Sequence, residues 1–283
     1  MSRDVASVLR MSHETSSGLR CQSRRRTREE PWVRDLRRIL GRDGRTPPAP
    51  HRRRTNRRSR EQASHFAKKV AADFNPIHDE DNKRFCVPGD LLFAVLLQKE
   101  GISQKMRFDF SGMVGNGIAL SVDNKCEKES SLVDEKGKEY LHMSCEGEKS
   151  HDQAFIEHVV TNYVKFSGMN FPHIMVPLME EQQMMINCQR PLVIYESMEV
   201  EFTRLDLSHP EVEFSGATFD VEGKRGIVTL NFDFKEDGEV VGKGVKRMVA
   251  SGLKPYDQAS VDDLVNRFNE RKEMFLAQFA AAA

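Results

Sequence analysis

Hydrophobic residues recur at helical spacing in the segment that begins at Glu61. The spacing i, i+3, i+4, i+7 predicts a short amphipathic helix there. Its apolar positions are Ala63, Phe66, Ala67, Val70 and Phe74. Asn75-Pro76 ends the helix, because the residue before a proline is pushed out of the α region. The run from Leu91 to Leu97 is apolar on every side, so it predicts a second helix that is fully buried.

Strands follow the second helix, because alternation of apolar and polar residues replaces the helical spacing. Three are predicted at residues 106–110, 118–122 and 138–145, and four more at 192–204, 211–221, 226–235 and 239–252. An amphipathic helix at residues 155–164 and an apolar helical stretch from Ile174 to about Met185 separate the two groups. A terminal helix with Ser260 as its N-cap is predicted to pack on the body. Its apolar face comprises Val261, Leu264, Val265, Phe268, Phe275, Leu276 and Phe279.

The order helix, loop, apolar helix and strands therefore occurs twice, which indicates an α+β protein with an internal duplication. Asn75-x-x-His78 in the first half matches Asn170-x-x-His173 in the second. Asp73, however, falls opposite Gly168, so the second half lacks the acid. A chance likeness between two α+β halves remains the alternative.

The formal charge of the chain is zero, but it is divided unevenly. Residues 1–60 hold 18 Arg, no Lys and six acids, which gives +12, and residues 61–283 carry −12. The small number of apolar residues in this segment predicts a disordered extension at residues 1–60. Arginine clusters suit nucleic acid or an anionic membrane, but we favour a dispensable tail or a misplaced start codon. The acidic body argues against nucleic acid as a partner.

The rest of the sequence argues against several protein classes. No apolar run approaches the ~20 residues that span a bilayer, and the N-terminus has no apolar segment typical of secretion. The cysteines form neither a disulfide framework nor a zinc pattern, and the histidines share no ligand spacing. A cytoplasmic protein without metal or cofactor is expected.

The segment from Asp73 to His78 carries the strongest chemical signal. It places a carboxylate (Asp73), a carboxamide (Asn75) and an imidazole (His78) within six residues, where a helix becomes a loop. A carboxylate and an imidazole that share a water can take one proton and deliver another. The alternative is that Asp and Asn only form the turn by hydrogen bonds to the backbone, and that His78 is a loop histidine satisfied by the neighbouring acids.

This motif, D-x-N-P-x-H, resembles that of the MaoC-like, or (R)-specific enoyl-CoA hydratase, branch of the hotdog superfamily. The body from residue 61 to about 260 also resembles a bacterial family of unknown function. The resemblance implies a double hotdog, in which two curved antiparallel sheets each surround a central helix. The implied parts are a first half at 61–150, a degenerate second half at 151–259 and a C-terminal helix at 260–283. The protein is then a monomeric pseudo-dimer or a homodimer, with its site at the junction of the halves.

The resemblance also implies the chemistry. Asp73 and His78 hold and activate a water, Asn75 orients the water or the carboxylate, and the backbone N–H of Gly89 binds the thioester carbonyl. The reaction is reversible hydration of a trans-2-enoyl thioester carried on coenzyme A or on acyl-carrier protein. The alternative is a catalytically degenerate hotdog protein that binds or senses acyl thioesters.

Three positions depart from the hydratase pattern. Pro88 and Asp90 stand where active enzymes have His and Met around the glycine, and Arg84 stands where a small residue is usual. Asp90 is the most adverse change, because it brings a second acid near the developing negative charge. The thioester carrier needs basic contacts, for which the candidates are Lys83, Arg84, Lys105 and Arg107.

Overall fold

The structure is a computed structural model that describes residues 60–281 and the side chains through residue 278. The predicted disorder before residue 60 lies outside the described residues. Arg60, the first of them, already belongs to the body. Its guanidinium donates to the backbone carbonyl of Glu80 at 2.9 Å and lies 5.0 Å from the centre of the Phe85 ring.

Six helical segments and ten strands are present in the described residues. We label the helices α1 (residues 60–65, continuing as a π-helical turn at Phe66–Val70), α2 (Gly89–Glu100), α3 (Gln153–Gly168), α4 (Asn170–His173), α5 (Met175–Glu181) and α6 (Gln258–Ala281). A short 3-10 turn covers Pro76–His78. The strands of the first half are β1 (Ile102–Phe110), β2 (Leu120–Cys126), β3 (Glu129–Asp134) and β4 (Glu139–Ser150). Those that follow are β5 (Met184–Met185), β6 (Val193–Phe202), β7 (Glu211–Glu222), β8 (Arg225–Glu236), β9 (Glu239–Ser251) and β10 (Lys254–Pro255).

Eight of the strands form one antiparallel sheet in the order β2-β3-β4-β1-β6-β9-β8-β7. Read from each outer edge, both halves place their four strands as second, third, fourth and first. A long buried helix precedes the strands of each half, α2 in the first and α3 in the second. Two such units joined through their first strands make a double hotdog, as predicted. The division into halves near residue 150 stays a prediction about domains.

The halves meet edge to edge through β1 and β6. The pairing runs from Lys105 opposite Glu201 to Asp109 opposite Ser197, so the two sheets continue as one. Along β1, Met106 and Phe108 are buried, whereas Arg107 points to solvent. This alternation is typical of a sheet with one face covered by helices and one face in water.

The core lies between the helices and the covered face of the sheet. Phe93 of α2 packs edge-on against Tyr163 of α3, with ring centres 4.9 Å apart, and against Phe108 of β1 at 5.0 Å. The apolar run Leu91–Leu97, which was predicted to be buried on every side of α2, is buried at every position except Val95. These contacts tie the two halves together through their central helices.

Several predicted elements differ from the structure. The stretch from Ile174 to Met185 is not one helix, because α5 spans only Met175–Glu181 and β5 follows. The buried helix of the second half is α3 instead. Strand β3 was not predicted, since Glu129–Asp134 has no alternation of polar and apolar residues.

The terminal helix begins earlier than predicted. Ser260 lies inside α6, and its N–H donates to the Asp257 carboxylate at 2.9 Å, so Asp257 is the capping residue. The helix packs on the body through Val261 and Phe268, but Leu276 is 52% exposed rather than packed.

Candidate functional site

The loop after α1 is shaped by hydrogen bonds of its own side chains. The backbone N–H of Asn75 donates to Asp73 Oδ1 at 2.9 Å, and the N–H of Ile77 donates to Asn75 Oδ1 at 3.1 Å. The Asn75 side chain therefore caps the 3-10 turn at Pro76–His78, which agrees with the turn-forming interpretation for this residue. The second oxygen of Asp73, Oδ2, is directed towards His78.

His78 faces Asp73 through its Nε2 atom. Its Nδ1 lies 2.7 Å from the backbone carbonyl oxygen of Cys86. A carbonyl only accepts hydrogen bonds, so Nδ1 carries the proton and Nε2 of the neutral imidazole is an acceptor. Nε2 lies 3.4 Å from Asp73 Oδ2. Two acceptors that face each other require a donor, which is either a proton on the imidazole or a molecule that donates to both.

Gly89 is the first residue of α2, immediately after the loop that contains Cys86. The first N–H groups of a helix have no partner within the helix. Here the N–H groups of Leu91 and Leu92 donate to the Pro88 carbonyl. The N–H of Gly89 is therefore one of the donors at the positive end of a twelve-residue helix. A Cβ on Gly89 would lie 3.1 Å from the Tyr195 ring and 3.3 Å from the Phe110 ring.

A second polar cluster lies beside Gly89, and both halves contribute to it. Ser167 at the end of α3 donates to Asp90 Oδ2 at 2.6 Å, and Lys246 of β9 donates to Ser167 Oγ at 2.5 Å. All three residues are buried, at 7%, 7% and 5% exposure. Asp90 Oδ1 has no hydrogen-bond partner among the described residues. We call these three residues the Asp90 cluster.

Burial and charge act in opposite directions within the Asp90 cluster. Burial raises the pKa of the Asp90 carboxyl, while Lys246 and the Ser167 hydroxyl oppose that rise. Burial also lowers the pKa of the Lys246 ammonium, against the attraction of Asp90 and Asp73. Asp73 favours the protonated form of Asp90, so the two carboxylates influence each other.

Aromatic rings cover the Asp90 cluster from the second half. The Lys246 ammonium lies 4.1 Å from the centre of the Tyr195 ring. The hydroxyls of Tyr195 and Tyr163 are hydrogen-bonded to each other, and Tyr195 stacks on Phe110 with ring centres 4.0 Å apart. Burial raises the pKa of both tyrosines well above its ordinary value, so both stay neutral.

Helix α6 packs over the loop that carries Asp73. Phe268 lies edge-on to Phe74, with ring centres 5.9 Å apart, and also contacts Phe171 at 5.5 Å. Asp79 forms ion pairs with Arg271 of α6 and with Lys68 of α1, the latter at 2.8 Å. The loop is thus fixed between α1 and α6.

The predicted carrier-binding residues do not form one group. Lys83 and Arg84 are exposed in the loop before α2. Lys105 and Arg107 lie on the solvent face of β1, where Lys105 pairs with Glu201 at 3.3 Å and Arg107 pairs with Asp109 at 2.7 Å. Their role in binding a carrier stays a prediction.

Ser167, Lys246 and Tyr195 were not singled out by the sequence. One signal was present for Lys246. It occupies a position of β9 at which the alternate residues Gly244 and Met248 are also buried. A lysine on the covered face of a strand requires a buried partner.

The comparisons with known proteins give the family. The chain belongs to the family described as "Protein of unknown function (DUF3581)", which matches residues 51–259. No curated protein matches the chain in sequence. No helix within residues 60–281 is long and apolar enough to cross a membrane.

Solved structures with a similar chain path include the acyl-CoA thioesterase II TesB2 of Mycobacterium marinum. It is 10% identical with a TM-score of 0.37, over 60% of this chain and 91% of that chain. A conserved hot dog protein of unknown function from Alicyclobacillus acidocaldarius is 7% identical, with a TM-score of 0.34, over 59% and 88%. An acyl-ACP thioesterase from Bacteroides thetaiotaomicron is 10% identical, with a TM-score of 0.30, over 59% and 92%. Because these identities and TM-scores are low, the strand order identifies the fold, and the geometry of the site is the basis for the proposed function.

Proposed function

We propose that this protein is an acyl-thioester hydro-lyase that adds water to a trans-2-enoyl thioester. Asp73 and His78 bind the water, one of them takes its proton as the oxygen bonds to C3, and a proton is delivered to C2. The N–H of Gly89 binds the carbonyl oxygen, where negative charge develops. A well-placed backbone donor of this kind is worth about 2.7–4 kcal/mol in the transition state.

The facing of Asp73 Oδ2 and His78 Nε2 is the observation that carries the proposal. Because Nδ1 is occupied by the Cys86 carbonyl, the two facing atoms are both free to accept. A water that donates to both has its oxygen lone pairs directed away from these two atoms, as a nucleophile requires.

The Asp90 cluster bears on the most adverse departure from the hydratase pattern, which is the acid next to Gly89. A lone carboxylate next to Gly89 would repel the developing enolate. Asp90 is instead connected through Ser167 to the Lys246 ammonium, so its charge has a buried counter-charge. This arrangement supports a site that tolerates Asp90 at that position.

The test is hydration of enoyl-CoA substrates, from crotonyl to dodecenoyl, by the purified full chain. The variants Asp73→Asn and His78→Gln are expected to lose about 10²–10⁴-fold in rate. Asp81→Asn is the matched control, because Asp81 is exposed in the same loop. Turnover that survives both site variants refutes the assigned roles.

A second candidate function is binding of acyl thioesters without turnover. It is favoured by the stacked Phe110 and Tyr195 rings, which lie against Gly89 and restrict access to its backbone. Equilibrium binding of a saturated acyl-CoA, combined with no product from any enoyl-CoA, supports this candidate over the first.

A further inference from the structure

A proton-exchanging group for C2 of the acyl chain is best placed next to the group that binds the thioester carbonyl, since C2 is bonded to the carbonyl carbon. Asp90 directly follows Gly89 in the first turn of α2. Its Oδ2 is occupied by Ser167, whereas Oδ1 is buried without a partner among the described residues. A buried carboxylate oxygen without a partner requires an explanation, and a catalytic role is one.

We propose that Asp90 exchanges the proton at C2 of the acyl thioester through Oδ1, with Ser167 and Lys246 as positioning residues. This inference rests on the proposed binding of the thioester at Gly89. In hydration, Asp73 and His78 take a proton from water, and protonated Asp90 gives one to C2. The pair then releases its proton and Asp90 takes one up from solvent, so that one water is added in total.

The same step run backwards on a saturated thioester is enolisation. Asp90 Oδ1 takes a proton from C2, the electron pair of the C–H bond moves to the carbonyl oxygen as an enolate, and the proton is then returned. In deuterium oxide the returned atom is deuterium. This exchange involves no double bond and no attacking water, so it reports on Asp90 separately from hydration.

The charged environment of Asp90 is defined by residues from four other elements. Lys246 of β9 stabilises the carboxylate, the loop after α1 contributes the Asp73 carboxylate and the His78 imidazole, and the neutral Tyr163 and Tyr195 close the site from α3 and β6. Removing Lys246 leaves burial as the largest influence on the Asp90 pKa, and both burial and Asp73 favour protonated Asp90 against the Ser167 hydrogen bond. The basic form of Asp90 then requires a higher pH.

The experiment measures deuterium incorporation at C2 of butyryl-CoA by proton NMR in deuterium oxide with the full chain. We expect Asp90→Asn to lose about 10²–10⁴-fold in exchange rate, whereas Asp81→Asn, which is exposed in the loop before α2, should keep exchange within a few fold. In Lys246→Met and Ser167→Ala, the exchange rate should rise with pH over a higher pH range than in the wild-type protein. Lys243→Met is the control for the lysine, because Lys243 is exposed on the same strand.

The outcomes separate the two proposals. Exchange that depends on Asp90 without any enoyl hydration keeps this inference and rejects the hydro-lyase. No exchange by the wild-type protein, or exchange unchanged in Asp90→Asn, overturns the inference even if hydration occurs. If Asp90→Asn fails to fold, an unchanged pH profile in Lys246→Met and Ser167→Ala overturns it.

Discussion

Gly168 is the point at which the second half contacts the backbone of the Asp73 loop. A Cβ built on this residue would lie 1.7 Å from the carbonyl oxygen of Ala71 and 3.0 Å from the backbone nitrogen of Asp73. Both obstacles are main-chain atoms, which cannot rotate away as a flexible side chain could. The change Gly168→Ala therefore forces α3 away from the loop.

The size of the effect follows from two opposing contributions. Alanine is favoured over glycine in a helix by about 0.5–1 kcal/mol. Overpacking of a fixed site costs about 1–3 kcal/mol and occasionally more. Since a separation of 1.7 Å is far inside atomic contact, overpacking prevails, and we expect a net loss at the upper end of that range.

Thermal and urea unfolding measure this loss directly. For a protein of this size, about 1–3 kcal/mol corresponds to a fall in Tm of roughly 2–12 °C. Gly115→Ala is the control, because a Cβ there meets nothing within 4 Å. Equal stability of the two variants would show that α3 does not pack against the Asp73 loop as described.

Three further predictions concern buried charge and helix α6. Lys246→Met is expected to lower the free energy of unfolding in urea by about 3–5 kcal/mol, because it leaves a buried carboxylate unpaired. The loss should be clearly smaller when Asp90 is already replaced by Asn, and additive losses from the two substitutions would contradict the pairing. Burial lowers the pKa of Lys68 from 10.5 to about 8, so the unfolded chain binds the proton more tightly and stability should rise from pH 8 towards pH 10. In Lys68→Met this rise should be smaller in urea titrations, and an identical rise would exclude Lys68 as its source. Phe268→Ala should speed hydrogen exchange of the loop beneath α6, whereas exposed Leu276→Ala should not, and equal protection in both would mean that α6 does not hold the loop.

The sequence was informative wherever a local pattern determines structure. The four strands from β6 to β9 follow their predicted bounds within two residues or so, because each alternates and ends at a turn residue. The buried helix α2 was equally clear from its all-apolar run. The recurrence of helix and strands predicted an internal duplication, and the resemblance of the Asp73–His78 motif to a branch of the hotdog superfamily implied the double hotdog.

Contacts between residues far apart in the chain could not be predicted from the sequence. Ser167 and Lys246 are separated from Asp90 by 77 and 156 positions, and the pairing of β1 with β6 and the packing of α2 on α3 bring them together. Asp90 alone therefore looked like an uncompensated acid. The segments Asn75–His78 and Asn170–His173 match in spacing but not in their place in the fold. The first precedes the buried helix of its half, α2, whereas the second follows the buried helix of its half, α3.

The pair formed by Asp73 and His78 is tested most directly by isotope labelling. Crotonyl-CoA is incubated with the full chain in H₂¹⁸O, and the products are analysed by mass spectrometry. We predict a 3-hydroxybutyryl thioester that carries one heavy oxygen at C3, formed by the wild-type protein and not by Asp73→Asn or His78→Gln. Free crotonate with the heavy oxygen in its carboxylate, or labelled hydroxy product from both variants, would contradict the account.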